Sequence, residues 1–75
     1  MKEKEIVIDT PVINLDKLLK WVGIAETGGQ AGKMITGGMV KLNGLTVKER
    51  RKKVRPGDIL VIERIGCLKI VAEQG

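Results

Sequence analysis

Val40-Lys41-Leu42-Asn43-Gly44-Leu45-Thr46-Val47 decides how this chain is read. Up to Gly38 the apolar residues recur at helical spacing, and from Met39 the period drops to two. Val40 and Leu42 alternate with Lys41 and Asn43. Asn43-Gly44 is the strongest short signal for a two-residue hairpin turn, because both residues tolerate positive φ. Leu45-Thr46-Val47 is expected to return as the partner strand.

Working toward the N-terminus, Gly37-Gly38 closes a helix predicted to start at Thr27. Thr27 and Gln30 have the spacing of a capping box, in which each side chain satisfies a backbone N–H of the first turn. Ala31, Met34 and Ile35 form its apolar stripe. Gly28 and Gly29 cost this helix about 1 kcal/mol each relative to Ala, so a close approach of backbone to some partner is one expectation. Before it, Leu15, Leu18, Leu19 and Val22 fall at i, i+3, i+4 and i+7, which predicts a helix with Asn14 as N-cap and Gly23 as its stop. Trp21 lies outside the Leu stripe and is expected to pack, with stacking on an exposed base as the alternative reading. Glu5-Ile6-Val7-Ile8 is a strand candidate, following the alternating charges of Met1 to Glu5.

Toward the C-terminus a basic stretch is followed by Arg55-Pro56-Gly57-Asp58, which reads as a turn. Ile59-Leu60-Val61-Ile62 is expected to be a buried strand, Gly66 marks another turn, and Leu68 to Ala72 is a last strand candidate. The order is β-α-α and then mostly β, with no internal repeat or linker.

The chain has 75 residues, enough for one domain, taken as residues 1–75, and only a thin core. That core is drawn from Ile, Val, Leu and Met, since there is one Trp and neither Tyr nor Phe. No apolar run reaches the roughly 18 residues that span a bilayer, and no secretory signal is evident, so membrane association is not expected. A single cysteine, Cys67, fits a reducing cytoplasm and is expected to be a buried, inert thiol.

The net charge of +5 is unevenly placed. Residues 1–40 balance to zero. Residues 41–55 set Lys41, Lys48, Arg50, Arg51, Lys52, Lys53 and Arg55 against Glu49 alone, while residues 56–75 are slightly acidic. A cationic block between two strands in an otherwise neutral chain points to a polyanion. Its lysines and arginines can neutralise phosphates and release counterions. Lys17 and Lys20 on the first helix and Lys33 on the second are further cations on polar faces.

Catalysis finds no support. There is no His, the acidic residues are scattered, and one Cys cannot build a thiolate metal site. Gly28-Gly29-Gln30-Ala31-Gly32-Lys33 lacks the first glycine and the Ser or Thr that a phosphate-binding loop requires. No cofactor, metal or small-molecule substrate is expected, and a monomer is.

From Leu15 to about Ile62 the chain resembles the RNA-binding domain first described in small-subunit ribosomal protein S four, also called the alpha-L motif. The matching residues are Leu15-Asp16-Lys17-Leu18-Leu19, Gly23, Ala31 and Ile35, Val40 to Gly44, and Val54-Arg55-Pro56-Gly57-Asp58. The stretch Thr27 to Ala31, with the basic segment after the hairpin, looks most like the short stand-alone bacterial members. The resemblance implies an α+β fold, two short helices packed on a small, mostly antiparallel sheet, with a motif core at about 13–63. It also implies binding of structured RNA, commonly ribosomal, by the helices and the adjacent basic loop. Carried over, that surface comprises Lys17, Gln30, Lys33, Lys41, Asn43 and Arg50 to Lys53; the charge pattern adds Lys20, Lys48 and Arg55.

Two positions depart from the family pattern: Asn14 where a basic residue often stands, and Gly32 where one is expected after Ala31. Lys33 is one place later, which turns a helical side chain by about 100°. The loop is therefore expected to carry more of the binding. Rival readings are an adaptor docking an acidic protein partner, a targeting module for an RNA-modifying enzyme acting in trans, and a binder of double-stranded DNA.

Overall fold

A computed structural model describes residues 3–73 of the chain. Met1 and Lys2 of the N-terminal charge alternation lie outside the described residues. Strand β1 (Glu3–Ile8) is followed by a two-residue strand β2 (Ile13–Asn14), helices α1 (Leu15–Trp21) and α2 (Gly28–Thr36), and five further strands. These are β3 (Val40–Leu42), β4 (Leu45–Thr46), β5 (Lys53–Val54), β6 (Ile59–Ile62) and β7 (Gly66–Ala72). The fold is α+β, as expected.

Five strands form one sheet in the order β1-β7-β6-β3-β4, and β2 with β5 makes a separate small ribbon. Only β1 and β7 run parallel in these pairings; the rest are antiparallel. The period of two explains the single buried face. Val40, Leu42, Leu60, Ile62, Leu68 and Ile70 point to the helices, joined by Ile6 and Ile8 from β1. Leu15, Leu18 and Leu19 of α1 and Ala31 and Ile35 of α2 meet them, all at 0% exposure. Burial of this apolar layer is the main force closing the domain.

The sequence-predicted hairpin is present. Asn43 and Gly44 have φ of +52° and +87°, which permits the primed turn that matches strand twist. Arg55 to Asp58 is also a turn, with Gly57 at φ +98° and the Asp58 N–H donating to the Arg55 carbonyl at 3.1 Å. Thr27 caps α2 as predicted, its hydroxyl accepting from Gln30 N–H at 3.0 Å. The return bond differs in detail: Gln30 Oε1 accepts from the N–H of Glu26, at 2.8 Å, rather than from that of Thr27.

Three expectations are corrected. Trp21 does not pack into the core but is 59% exposed at the end of α1. The strand Ile59–Ile62 is buried on one face only: Leu60 and Ile62 are at 0%, Ile59 is 39% exposed and Val61 is half-buried, because among the described residues no second layer covers the far face of the sheet. Cys67 is half-buried rather than buried, since it sits opposite Val61 on that same uncovered face.

Candidate nucleic-acid interface

The basic segment is held by its own backbone. Glu49 to Lys52 forms a tight turn, with the Lys52 N–H donating to the Glu49 carbonyl at 3.2 Å. That turn aims two carbonyls at the first turn of α1. Lys52 O accepts from Leu15 N–H at 2.8 Å and Arg50 O from Asp16 N–H at 3.0 Å. A helix start leaves its first N–H groups without partners inside the helix. Here the basic segment supplies acceptors for two of them, and Asp16 Oδ1 accepts from Lys17 N–H. Asn14 therefore occupies the N-cap position with no side-chain capping bond. The β2–β5 ribbon adds a second attachment, placing Lys53 opposite Asn14 and Val54, fully buried, opposite Ile13.

Arg50 ties the segment to α2 as well. Its Nη2 donates to the Gly28 carbonyl at 3.2 Å, and the guanidinium lies against Gly32. A Cβ on Gly32 would stand 2.5 Å from Arg50 Nε. The close approach anticipated at Gly28 or Gly29 is thus made at Gly32, which is buried. The cation absent from position 32 of the helix is replaced there by one reaching over from the loop.

All twelve predicted contact residues are exposed: Lys17, Lys20, Gln30, Lys33, Lys41, Asn43, Lys48, Arg50, Arg51, Lys52, Lys53 and Arg55. Six of them, Asn43, Lys48, Arg51, Lys52, Lys53 and Arg55, line one concavity of about 830 Å³ between the basic segment and the β3–β4 hairpin. Glu49 and Asp58 line it as well. Asp58 is occupied internally, accepting from the Arg55 N–H at 2.9 Å and from Asn43 Nδ2 at 3.1 Å. Asn43 Oδ1 in turn accepts from the Ile59 N–H at 2.9 Å, so this amide locks two turns together. Lys17 continues the basic surface along α1, one helical turn beyond Asn14 and its partner Lys53. Lys41 stands apart. Its neighbours Val40 and Leu42 face the helices, so it points from the opposite face of the sheet. Gln30 shares its side chain with the α2 cap. Sequence reasoning did not single out Gly32 as the platform for Arg50; its one local signal was a glycine inside a helix.

Among the described residues no group of three or more His, Cys, Asp or Glu is placed to hold a metal ion. Among the same residues no helix is long and apolar enough to cross a membrane.

Two helices on a mixed sheet, with a cationic segment stitched to the start of the first, define the class of domain. A family model described as the S4 domain matches residues 6–71, and the chain belongs to that family. The solution structure of YbcJ from E. coli, described as revealing an αL motif involved in RNA-binding, is similar at TM-score 0.65 and 28% identity. The match covers 93% of this chain and 86% of that one. The chain is also 32% identical over 66 residues to the probable ribosome maturation protein RlbA of Bacillus subtilis (strain 168), covering 88% of this chain and 93% of RlbA. A third similarity, 36% over 67 residues, is to the tyrosine–tRNA ligase of Nitrosomonas europaea; it covers 89% of this chain but only 16% of that enzyme's length.

Proposed function

We propose that this chain is a non-enzymatic RNA-binding protein that acts as a monomer in the cytoplasm and takes structured RNA, ribosomal RNA above all, on the ridge formed by Lys48 to Arg55 and the adjoining face of α1. The observation that carries this reading is the attachment of the cationic segment to both helices, through two backbone bonds to α1 and through Arg50 to α2. A segment fixed in this way presents its charges without the ordering cost that a free loop bears on binding. The family, the description of YbcJ and the name of RlbA support RNA and the ribosome as the setting. The chain has a single aromatic residue, so recognition rests chiefly on shape and phosphate contacts rather than on a multi-base stacking platform.

The test is a competition titration at fixed salt between a labelled ribosomal RNA hairpin and unlabelled duplex DNA or unlabelled hairpin. The hairpin is expected to displace the label at far lower concentration than the DNA. Equal displacement would redirect the reading to a generic polyanion, and a nuclease-resistant protein complex recovered from cells would favour the adaptor.

Gly32→Ala separates folding from binding. Alanine favours the helix by about 1 kcal/mol relative to glycine. Its Cβ, however, takes the space of the Arg50 guanidinium, a flexible side chain that can swing away. Thermal denaturation is expected to show unchanged or slightly raised stability, while hairpin affinity falls several-fold. A variant that binds as tightly as the parent would deny Arg50 its placement.

A further inference from the structure

We propose that the groove between α1 and the β1–β2 connection is a stacking site for one unpaired RNA nucleotide, with Trp21 as its platform. This rests on the RNA-binding reading above and extends it from phosphates to a base. The groove measures about 580 Å³ and is lined by Val7, Asp9, Val12, Asn14, Lys17 and Trp21, among others. That is within the range of about 300–1,000 Å³ in which proteins hold small ligands.

Three observations select the occupant. The first is the indole itself, 59% exposed although its helix neighbours Leu18 and Leu19 are at 0%. An indole left in water forgoes packing, and its flat face suits a nucleobase, because every base offers a π-face. The second is continuity. Asn14, Lys17 and Trp21 follow at i, i+3 and i+7 along one side of α1, and Asn14 is the register partner of Lys53 in the cationic segment. A strand whose phosphates lie on that segment passes Lys17 and reaches Trp21 next. The third is the polarity of the wall. Asp9 and Glu73 make it a poor seat for a phosphate. Carboxylate acceptors, and the Asn14 amide that makes no capping bond, are suited to the amino and carbonyl edges of a base. The groove therefore suits a base whose nearest phosphate lies toward Lys17 and the cationic segment rather than against Asp9 and Glu73.

The experiment uses the full chain and three RNAs: a blunt hairpin, the same hairpin with a short single-stranded extension, and that extension with its bases removed. Trp21 is the sole aromatic residue, so protein fluorescence reports on it alone. The intact extension is expected to bind more tightly than the abasic one, by about 5- to 150-fold, the range that one base–aromatic stack contributes. Only the intact extension should quench the indole. Trp21→Leu is expected to abolish the difference between intact and abasic extensions, and Trp21→Phe to restore much of it. Ile65→Ser, at another exposed apolar side chain, should leave that difference in place. If intact and abasic extensions bind alike and fluorescence is unmoved, the stacking site is overturned, while salt-dependent binding of the blunt hairpin would still uphold the basic ridge. If no RNA binds at any salt, both readings fall together.

Discussion

Replacing Arg51, Lys52 and Lys53 together with Gln is expected to flatten the salt dependence of RNA binding by about 2 to 3 in the slope of log affinity against log salt. Each phosphate neutralised contributes a slope of about −0.7 to −0.9 through released counterions. All three side chains are exposed and line the same concavity. The substitution spares what positions the segment, because α1 is held by the carbonyls of Lys52 and Arg50, which every residue type possesses. Arg50 is left in place since its guanidinium bonds the Gly28 carbonyl. Stability should therefore change by no more than about 0.5 kcal/mol per site, the usual range at such surfaces. The decisive control removes equal charge elsewhere, at Lys4, Arg64 and Lys69. Should that trio flatten the slope as much as the first, the attraction would come from net charge spread over the molecule and the ridge would have no special part.

The parts of this fold that were legible in the sequence are those written within a few residues of one another. Asn43-Gly44 specifies its turn because both positions need positive φ, and Thr27 with Gln30 specifies the start of α2 through side chains three residues apart. The Leu15-Leu18-Leu19 stripe becomes the buried face of α1 for the same local reason. What escaped depends on distant partners. Asn14 has the right backbone for an N-cap, yet the acceptors come from Arg50 and Lys52, well over thirty residues away. The parallel pairing of β1 with β7 joins the two ends of the described chain, and no local period announces it. Ribbon β2–β5 has two residues per strand, too few to show alternation.

The candidate site divides along the same line. The cationic block was visible as composition, since charge is a property of the residues themselves. That it forms a fixed ridge depends on a glycine in α2 being small at the point where Arg50 arrives, a pairing eighteen positions apart. Trp21 shows the opposite failure. Its residue type argues for burial, and only the uncovered end of α1 leaves the indole in water. Lys41 illustrates a third case: its charge counts toward the block, yet strand alternation sends it to the other face of the sheet.

That alternation yields the largest expected effect on stability. Leu60 lies in β6, between β3 and β7, with Leu42 and Leu68 as its register partners and no exposure to solvent. Truncating a buried leucine to alanine costs about 2–5 kcal/mol, through lost transfer energy and the cavity left behind. A domain of this size has of the order of 4–11 kcal/mol in all. Leu60→Ala should thus lower the urea midpoint drastically or leave the chain largely unfolded. Ile59 is the adjacent residue, similar in size, but it faces outward and is 39% exposed. Ile59→Ala should cost less than about 1.5 kcal/mol, because no enclosed cavity forms where water can already enter. Two equal losses would mean that the sheet is covered on both faces, by a second copy or by a shifted register of β6. A loss confined to Leu60 establishes the one-sided core on which the two helices, and with them the cationic segment, are seated.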